Sequence, residues 1–244
     1  MKNYLKLPLD TNKRHFVVGD VHGRYETFLD LLTMIDYDPE NDIIYSVGDI
    51  IDRGSKSYET IKFFQEMPNT YVACGNHEEM VRDLREWDRV WTNNGGIETM
   101  QSLKANGVDL HWLVDYCETL PYVIDVGEED EEGSFRIVHA EIPPHWDELY
   151  VRNALQNNST GIDEMIWSRT TITKALRNLS MMKPPHEDIY FNPNRANRSV
   201  FVGHTPIDRP ITVRDTTFID TWAGGTMTLI DALTKEKYTA KVID

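Results

Sequence analysis

The sequence is short of cysteine, of long apolar runs and of basic residues, and each shortage excludes a class of proteins. Only two cysteines occur, Cys74 and Cys117, and their spacing matches neither a zinc-binding pattern nor a redox pair. No stretch has the length of a signal peptide or a membrane span, so we expect a cytoplasmic protein. Lys and Arg total 25 against 40 Asp and Glu. The net charge of −15 argues against nucleic acid and anionic membranes as partners, because like charges repel.

The remaining composition is that of an ordinary globular protein. Hydrophobic residues make up 40% of the 244 residues and charged residues 27%, which excludes a disordered or fibrous chain. A chain of this length can bury the core of one α/β domain, so we expect a single domain over residues 1–244. The acidity implies that a phosphate-bearing substrate would need a locally positive site, and bound metal ions could supply that charge.

The first third of the chain alternates short apolar runs with amphipathic segments, as βαβ units do. Apolar residues from Phe28 to Ile35 recur at i, i+3, i+4 and i+7, and a second helical spacing runs from Tyr58 to Phe64. The pattern therefore predicts an α/β fold with a parallel sheet flanked by helices. The predicted strands of this region are residues 16–18, 43–47 and 71–73.

Further helices and a set of short strands are predicted in the rest of the chain. One helix follows Asn76 and continues through Trp87, and residues 94–120 are mostly helical, with loops at Gly95-Gly96 and Asn106-Gly107. Residues 178–198 are rich in proline and asparagine, and we interpret them as a long irregular loop that governs substrate choice. The predicted strands, of which the last five are mainly antiparallel, are residues 122–126, 135–138, 200–202, 211–213, 216–219, 227–230 and 237–243.

Five of the apolar strand patterns end in polar residues that can bind metal. Ligand sites in open α/β sheets lie at the carboxyl ends of strands, where tight turns bring side chains into one crevice. The set mixes carboxylate, amide and imidazole without thiolate, which favours Mn, Fe, Zn or Co over Ca. It is too large for one four-coordinate ion but suits two ions that share an aspartate, as two-metal hydrolysis requires. The candidate ligands are Asp20, His22, Asp49, Asn76, His139 and His204.

Two divalent ions would leave such a site positive despite its carboxylates. Arg53 and Arg169 would raise the charge further, and a guanidinium fork matches phosphate oxygens in geometry as well as in charge. Taken singly, each motif could be structural; Asn76, for example, could simply cap a helix. Taken together in this order, the motifs favour catalysis.

The combined motifs resemble those of the PPP-type metallophosphatases, and most closely those of the bacteriophage lambda-type protein phosphatase branch. The resemblance covers roughly residues 14–231. It implies the calcineurin-like metallophosphoesterase fold, with central mixed β-sheets flanked by helices and the metal site at strand carboxyl ends. The matching motifs are Gly19-Asp20-Val21-His22-Gly23, Gly48-Asp49-Ile50-Ile51-Asp52-Arg53-Gly54, Gly75-Asn76-His77-Glu78, Val138-His139-Ala140, Trp167-Ser168-Arg169 and Gly203-His204-Thr205.

The same resemblance implies how the site residues are divided. Asp20, His22 and Asp49 would hold one metal ion, and Asp49 with Asn76, His139 and His204 would hold the other. The phosphate would contact Arg53, Asn76, His77 and Arg169. The two ions would be divalent, Mn²⁺ first, with Fe, Zn, Co or Ni as alternatives.

The family's mechanism implies that a metal-bridging hydroxide attacks phosphorus directly while His77 protonates the leaving oxygen and Asp52 orients His77. The implied substrates are phosphorylated serine, threonine or tyrosine of proteins, without a regulatory subunit. Three other functions remain open at this point: hydrolysis of dinucleoside polyphosphates, hydrolysis of phosphodiesters, and phosphoprotein binding without catalysis.

Overall fold

A computed structural model describes residues 3–142, 151, 153, 155, 161–180 and 198–243. In these residues the strands form two sheets. The six-stranded sheet has the order β1-β5-β6-β7-β9-β8. Its strands are β1 (Tyr4–Leu7), β5 (Val123–Val126), β6 (Phe135–Val138), β7 (Ser199–Val202), β8 (Ile211–Val213) and β9 (Thr216–Phe218).

The five-stranded sheet has the order β11-β10-β2-β3-β4. Strands β2, β3 and β4 run parallel to one another, whereas β10 lies antiparallel to both β2 and β11. The predicted mixed α/β architecture is therefore confirmed. The strands are β2 (Arg14–Val18), β3 (Asp42–Ser46), β4 (Thr70–Val72), β10 (Thr226–Asp231) and β11 (Lys237–Lys241).

The two sheets face each other across a compact apolar layer. Val17 and Tyr45 from one sheet belong to the same buried cluster as Ile137 and Phe201 from the other. Successive side chains of a strand point to opposite faces, so Phe16 and Val18 pack instead into the larger core beneath the helices. Both faces of the central strands are thus buried, which explains their nearly continuous apolar sequence.

The helices cover the outer faces of the sheets and join the strands. In α1, Phe28, Leu31 and Leu32 are buried, as their helical spacing predicts. No helix of the described residues is long and apolar enough to cross a membrane. The helices are α1 (Tyr25–Met34), α2 (Ser57–Glu66), α3 (Asn76–Arg82), α4 (Leu84–Trp91), α5 (Ile97–Ala105), α6 (Leu110–Thr119), α7 (Gly161–Trp167) and α8 (Thr170–Ser180).

Two helical predictions differ from the structure. The helix expected from Asn76 through Trp87 is interrupted at Asp83, whose non-helical backbone (φ −126°, ψ 67°) separates α3 from α4. The loop expected at Gly95-Gly96 is reduced to a kink between α4 and α5. The backbone leaves helical geometry there at Asn94 and Gly95.

Three other features of the fold also differ from the prediction. Of the loop predicted for residues 178–198, residues 178–180 belong to α8, and residues 181–197 lie outside the described residues. The short strand β1 was not predicted; it pairs in parallel with β5. The C-terminal strands are only partly antiparallel, since β7 and β9 run parallel while β8 turns back along β9.

Candidate metal centre

The structure places all six candidate ligands at the carboxyl ends of strands, and these ends converge. Asp20 and His22 follow β2, Asp49 follows β3, and Asn76 begins the helix after β4. In the other sheet, His139 follows β6 and His204 follows β7, which run parallel to each other. His139 Nδ1 donates a hydrogen bond to the carbonyl of Val47 at 3.0 Å, which directly joins the edges of the two sheets.

The turns that carry these ligands hold three of them in a left-handed backbone conformation. His22, Asp49 and His204 have φ values of 47°, 51° and 65°. A non-glycine residue in this region costs about 1–3 kcal/mol and persists only where the surroundings fix it. Such strain often occurs at functional sites, where it aims a side chain in a required direction.

The carboxylate of Asp49 lies at the centre of the cluster. Its Oδ2 is 3.3 Å from His139 Nε2, 3.7 Å from His22 Nε2 and 3.8 Å from His77 Nε2. Its Oδ1 accepts the backbone N–H of His77 at 3.0 Å. Asp49 therefore belongs to two possible ligand groups, one with His22 and His77 and the other with His139 and His204.

Asn76 and Asp20 complete the cluster on opposite sides of Asp49. Asn76 Oδ1 lies 2.8 Å from His204 Nδ1 and 2.9 Å from His139 Nε2. The Asp20 carboxylate accepts the backbone N–H of His204 at 3.1 Å and lies 4.0 Å from His22 Nε2. In the first ligand group, therefore, His77 lies nearer than Asp20 to the atoms that would hold an ion.

In two of the imidazoles, the ring nitrogen that faces a backbone carbonyl indicates which nitrogen carries the hydrogen. His22 Nδ1 lies 2.9 Å from the carbonyl of Ile51, and His204 Nε2 lies 3.1 Å from the carbonyl of Trp167. A carbonyl only accepts, so these nitrogens carry the hydrogens and the opposite nitrogens turn lone pairs toward Asp49 and Asn76. This is the arrangement found around histidines that bind metal, and the donor set fits divalent ions.

The electrostatics of the cluster also favour bound cations. Burial would lower the pKa of His139, but the charges of Asp49 and Asp20 raise it to about 9. Burial and the adjacent charge of His139 lower the pKa of His204 to about 3. Burial would raise the pKa of Asp49, but the surrounding imidazoles hold it well below its usual range. Positive charge is thus stabilised at the carboxylate that the two groups share.

His77 and Asp52 form a buried pair beside the cluster. His77 Nδ1 is 2.6 Å from Asp52 Oδ2, while the indole N–H of Trp91 and the hydroxyl of Thr99 donate to Asp52 Oδ1 at 3.1 and 2.6 Å. Burial would lower the pKa of His77, but the charges of Asp49 and Asp52 raise it above its ordinary value. These two carboxylates therefore favour the protonated form of the imidazole.

The two candidate phosphate-binding arginines differ in their surroundings. The guanidinium of Arg53 lies 2.6 Å from His22 Nε2 and 3.1 Å from His77 Nε2, directly against the cluster. Arg169 is exposed in the turn between α7 and α8. Its charge contributes to the low pKa of His204, which places it on the side of the second ligand group.

Two buried carboxylates of the site were not found from the sequence. Glu78 accepts the backbone N–H groups of Asp49, Ile50 and Gly75 at 2.8–2.9 Å. Asp220 lies beside Asp20, and burial with the charge of Asp49 raises its pKa to about 6. Asp220 follows the end of β9, so the strand-end signal that found the other ligands could have found it too.

The chain is similar to a family of hydrolases and to proteins of two named activities. The family model for calcineurin-like phosphoesterases matches residues 14–222. Serine/threonine-protein phosphatase 1 of Salmonella typhimurium is 28% identical over 226 residues, which cover 89% of this chain and 92% of that protein. The symmetrical bis(5'-nucleosyl)-tetraphosphatase of Wigglesworthia glossinidia brevipalpis is 26% identical over 186 residues, 73% of this chain and 61% of that protein.

A solved structure supports the same fold at a lower sequence identity. A protein serine/threonine phosphatase from Saccharomyces cerevisiae superposes with a TM-score of 0.64 at 13% identity, covering 100% of this chain and 85% of that one. At such an identity the match concerns the fold alone. Together with the family model, it confirms the fold that the sequence motifs implied.

Proposed function

Because the chain belongs to the calcineurin-like phosphoesterase family, whose members hydrolyse phosphate esters with divalent metal ions, we propose that it is a protein phosphatase. It hydrolyses phosphate monoesters on serine or threonine of proteins, and tyrosine is a further possible substrate residue. The proposed ligands are Asp20, His22 and Asp49 for one ion and Asp49, Asn76, His139 and His204 for the other. Mn²⁺ is the ion we expect to support activity best.

The arrangement of Asp52, His77 and Arg53 carries this proposal. An imidazole, fixed by a carboxylate at 2.6 Å, lies 3.1 Å from a guanidinium, and both lie against the metal ligands. A monoester requires these two groups together: a cation that binds terminal phosphate oxygens and an acid that protonates the leaving oxygen. The exposed Arg169 would hold the phosphate from the other side.

The residues of the chain then perform distinct tasks. The metal ions, when bound, neutralise phosphate charge and lower the pKa of the attacking water. Arg53 and Arg169 orient the phosphate, His77 Nε2 gives its proton to the leaving alkoxide, and Asp52 holds the imidazole at Nδ1 in the tautomer that makes this possible. Burial of His77 and Asp52 keeps water from competing for the proton.

Hydrolysis of dinucleoside polyphosphates is the second candidate. The observation in its favour is the similarity, over 73% of this chain, to a bis(5'-nucleosyl)-tetraphosphatase. The Asp52-Arg53 and His22-Gly23 pairs, however, match the protein-phosphatase form of the motifs. We therefore rank the phosphoprotein substrate first.

The first experiment uses protein stripped by a chelator and then given Mn²⁺. Its hydrolysis of p-nitrophenyl phosphate is compared with that of bis-p-nitrophenyl phosphate. We expect monoester cleavage that is absent without metal and returns with it. Preferential cleavage of the diester would contradict the proposal in favour of a phosphodiesterase, and no cleavage of either compound would favour a protein that only binds phosphoproteins.

A further inference from the structure

The irregular turn between α4 and α5, where the backbone leaves helical geometry at Asn94 and Gly95, contacts the loop that carries Asp52 and Arg53. We propose that this turn, defined here as residues 91–96 and called the 91–96 turn, positions both residues, with Gly95 and Trp91 as the positioning residues. The inference rests on the proposed function, because Asp52 and Arg53 act there on the proton and on the phosphate. It gives Gly95 and Gly96 a structural role, whereas the sequence predicted only a loop at these residues.

The loop of Asp52 and Arg53 requires such support. Both residues have a left-handed backbone, with φ values of 73° and 66°. Each such residue is strained unless its surroundings compensate. Two consecutive ones would relax to another conformation if no neighbour held them, and the guanidinium would leave the imidazoles that it contacts at 2.6 and 3.1 Å.

Gly95 holds the backbone of Arg53. Its carbonyl accepts the Arg53 N–H at 3.2 Å, and its own backbone (φ 108°, ψ 6°) is open to glycine but disfavoured for other residues. A Cβ at this position would lie 2.4 Å from Arg53 N and 2.8 Å from Arg53 Cγ. The close approach is thus possible only without a side chain, and it sets the position from which the Arg53 side chain extends.

Trp91 holds the side chain of Asp52. Its buried indole N–H donates to Asp52 Oδ1 at 3.1 Å, so that Oδ2 remains directed at His77. Gly96 leaves the room for this indole, since a Cβ there would lie 2.6 Å from the ring. Thr99 of α5 makes two further hydrogen bonds with Asp52. Its hydroxyl donates to Asp52 Oδ1 and accepts from the backbone N–H of Asp52.

One irregular turn therefore fixes two neighbouring groups by separate contacts. The two contacts predict two different defects. Displacing Gly95 should weaken phosphate binding through Arg53, and removing the Trp91 N–H should impair proton transfer through Asp52 and His77.

The first test measures the affinity of the metal-loaded protein for inorganic phosphate by calorimetry, which requires no turnover. Gly95→Ala should weaken phosphate binding about tenfold or more, as loss of one charge-assisted contact does, and leave Mn²⁺ affinity unchanged. Gly107→Ala is the matched control: Gly107 also has a positive φ of 70°, but a Cβ there meets nothing within 4 Å. Wild-type phosphate affinity in Gly95→Ala, or an equal loss in Gly107→Ala, would overturn the proposal.

The second test holds even where Gly95→Ala does not fold. Trp91→Phe keeps the aromatic ring beside Gly96 but removes the N–H that Asp52 accepts. We expect kcat to fall about tenfold for phenyl phosphate and much less for p-nitrophenyl phosphate, because a poor leaving group depends more on the acid. Equal effects on the two substrates would show a general structural role and overturn the assignment. A wild-type protein without monoesterase activity would instead contradict the proposed function and leave the phosphate-binding test valid.

Discussion

Replacement of Glu78 by glutamine should disturb the metal centre although Glu78 is itself no proposed ligand. Its Oε2 accepts the N–H groups of Asp49 and Gly75, and its Oε1 accepts the N–H of Ile50, all within 2.8–2.9 Å. The carboxylate thus ties the loop of the shared ligand Asp49 to the start of α3, where Asn76 and His77 lie. The side chain is fully buried, so water cannot replace these bonds.

The size of the effect follows from the geometry. A glutamine has one oxygen, so it can keep the two bonds at Oε2 only by turning its amide N–H₂ toward the N–H of Ile50. A hydrogen bond to a charged group is worth about 1.5–3 kcal/mol and an unpaired buried donor costs about 1–3 kcal/mol. We expect Glu78→Gln to lower the free energy of unfolding by about 3 kcal/mol, and Mn²⁺ affinity to fall at least about tenfold.

The assay pairs denaturant unfolding of the metal-free protein with calorimetric titration of Mn²⁺. Glu79→Gln is the matched control, because Glu79 is the next residue of α3 but faces Arg82 and Tyr122 with its side chain 30% exposed. It should change Mn²⁺ affinity by less than about threefold, as partly exposed ion pairs contribute little. Wild-type stability and Mn²⁺ affinity in Glu78→Gln would refute the reasoning.

Three further predictions concern the site. His77→Asn should lower kcat about 100-fold with metal content unchanged, as expected for a lost general acid; the exposed His111 supplies the control His111→Asn, and an undiminished kcat in His77→Asn would exclude the acid role. His204→Ala should reduce the metal content from two ions per chain to one, measured by elemental analysis, and retention of both ions would remove His204 from the ligand set. Gly203→Ala would place a Cβ 1.9 Å from Asp20 Oδ1, so it should also lose metal, whereas Gly107→Ala should not.

The placement of the candidate ligands could be predicted because the signals are local. A short apolar strand, a tight turn and a polar residue are adjacent in the sequence, and parallel strands bring their carboxyl ends to one edge. The meeting of His22, Asp49 and Asn76 at the edge of the five-stranded sheet could therefore be predicted without knowing the long-range contacts of the sheet. The same strand-end signal found His139 in the other sheet, and the resemblance to known phosphatases implied which ion it would hold.

What could not be predicted depends on contacts between distant segments. The short strand β1 has only four residues, and it forms because it pairs with β5, which begins at Val123. Glu78 resembles any acidic residue at a helix start until the three N–H groups around it are known. The glycine pair at 95–96 predicted a loop. The close packing of these two glycines against Arg53 and the Trp91 ring could not be predicted, because it involves contacts that the sequence does not show.

The central claim is that this cluster of ligands, with Arg53 and His77, hydrolyses phosphate monoesters of proteins. The most direct measurement is kcat/KM of the Mn²⁺-loaded protein on a phosphoserine peptide and on diadenosine tetraphosphate under the same conditions. We predict faster turnover of the phosphopeptide, and loss of that activity in His77→Asn. Faster cleavage of the dinucleotide, with the phosphopeptide left intact, would contradict the account and identify the second candidate as the function.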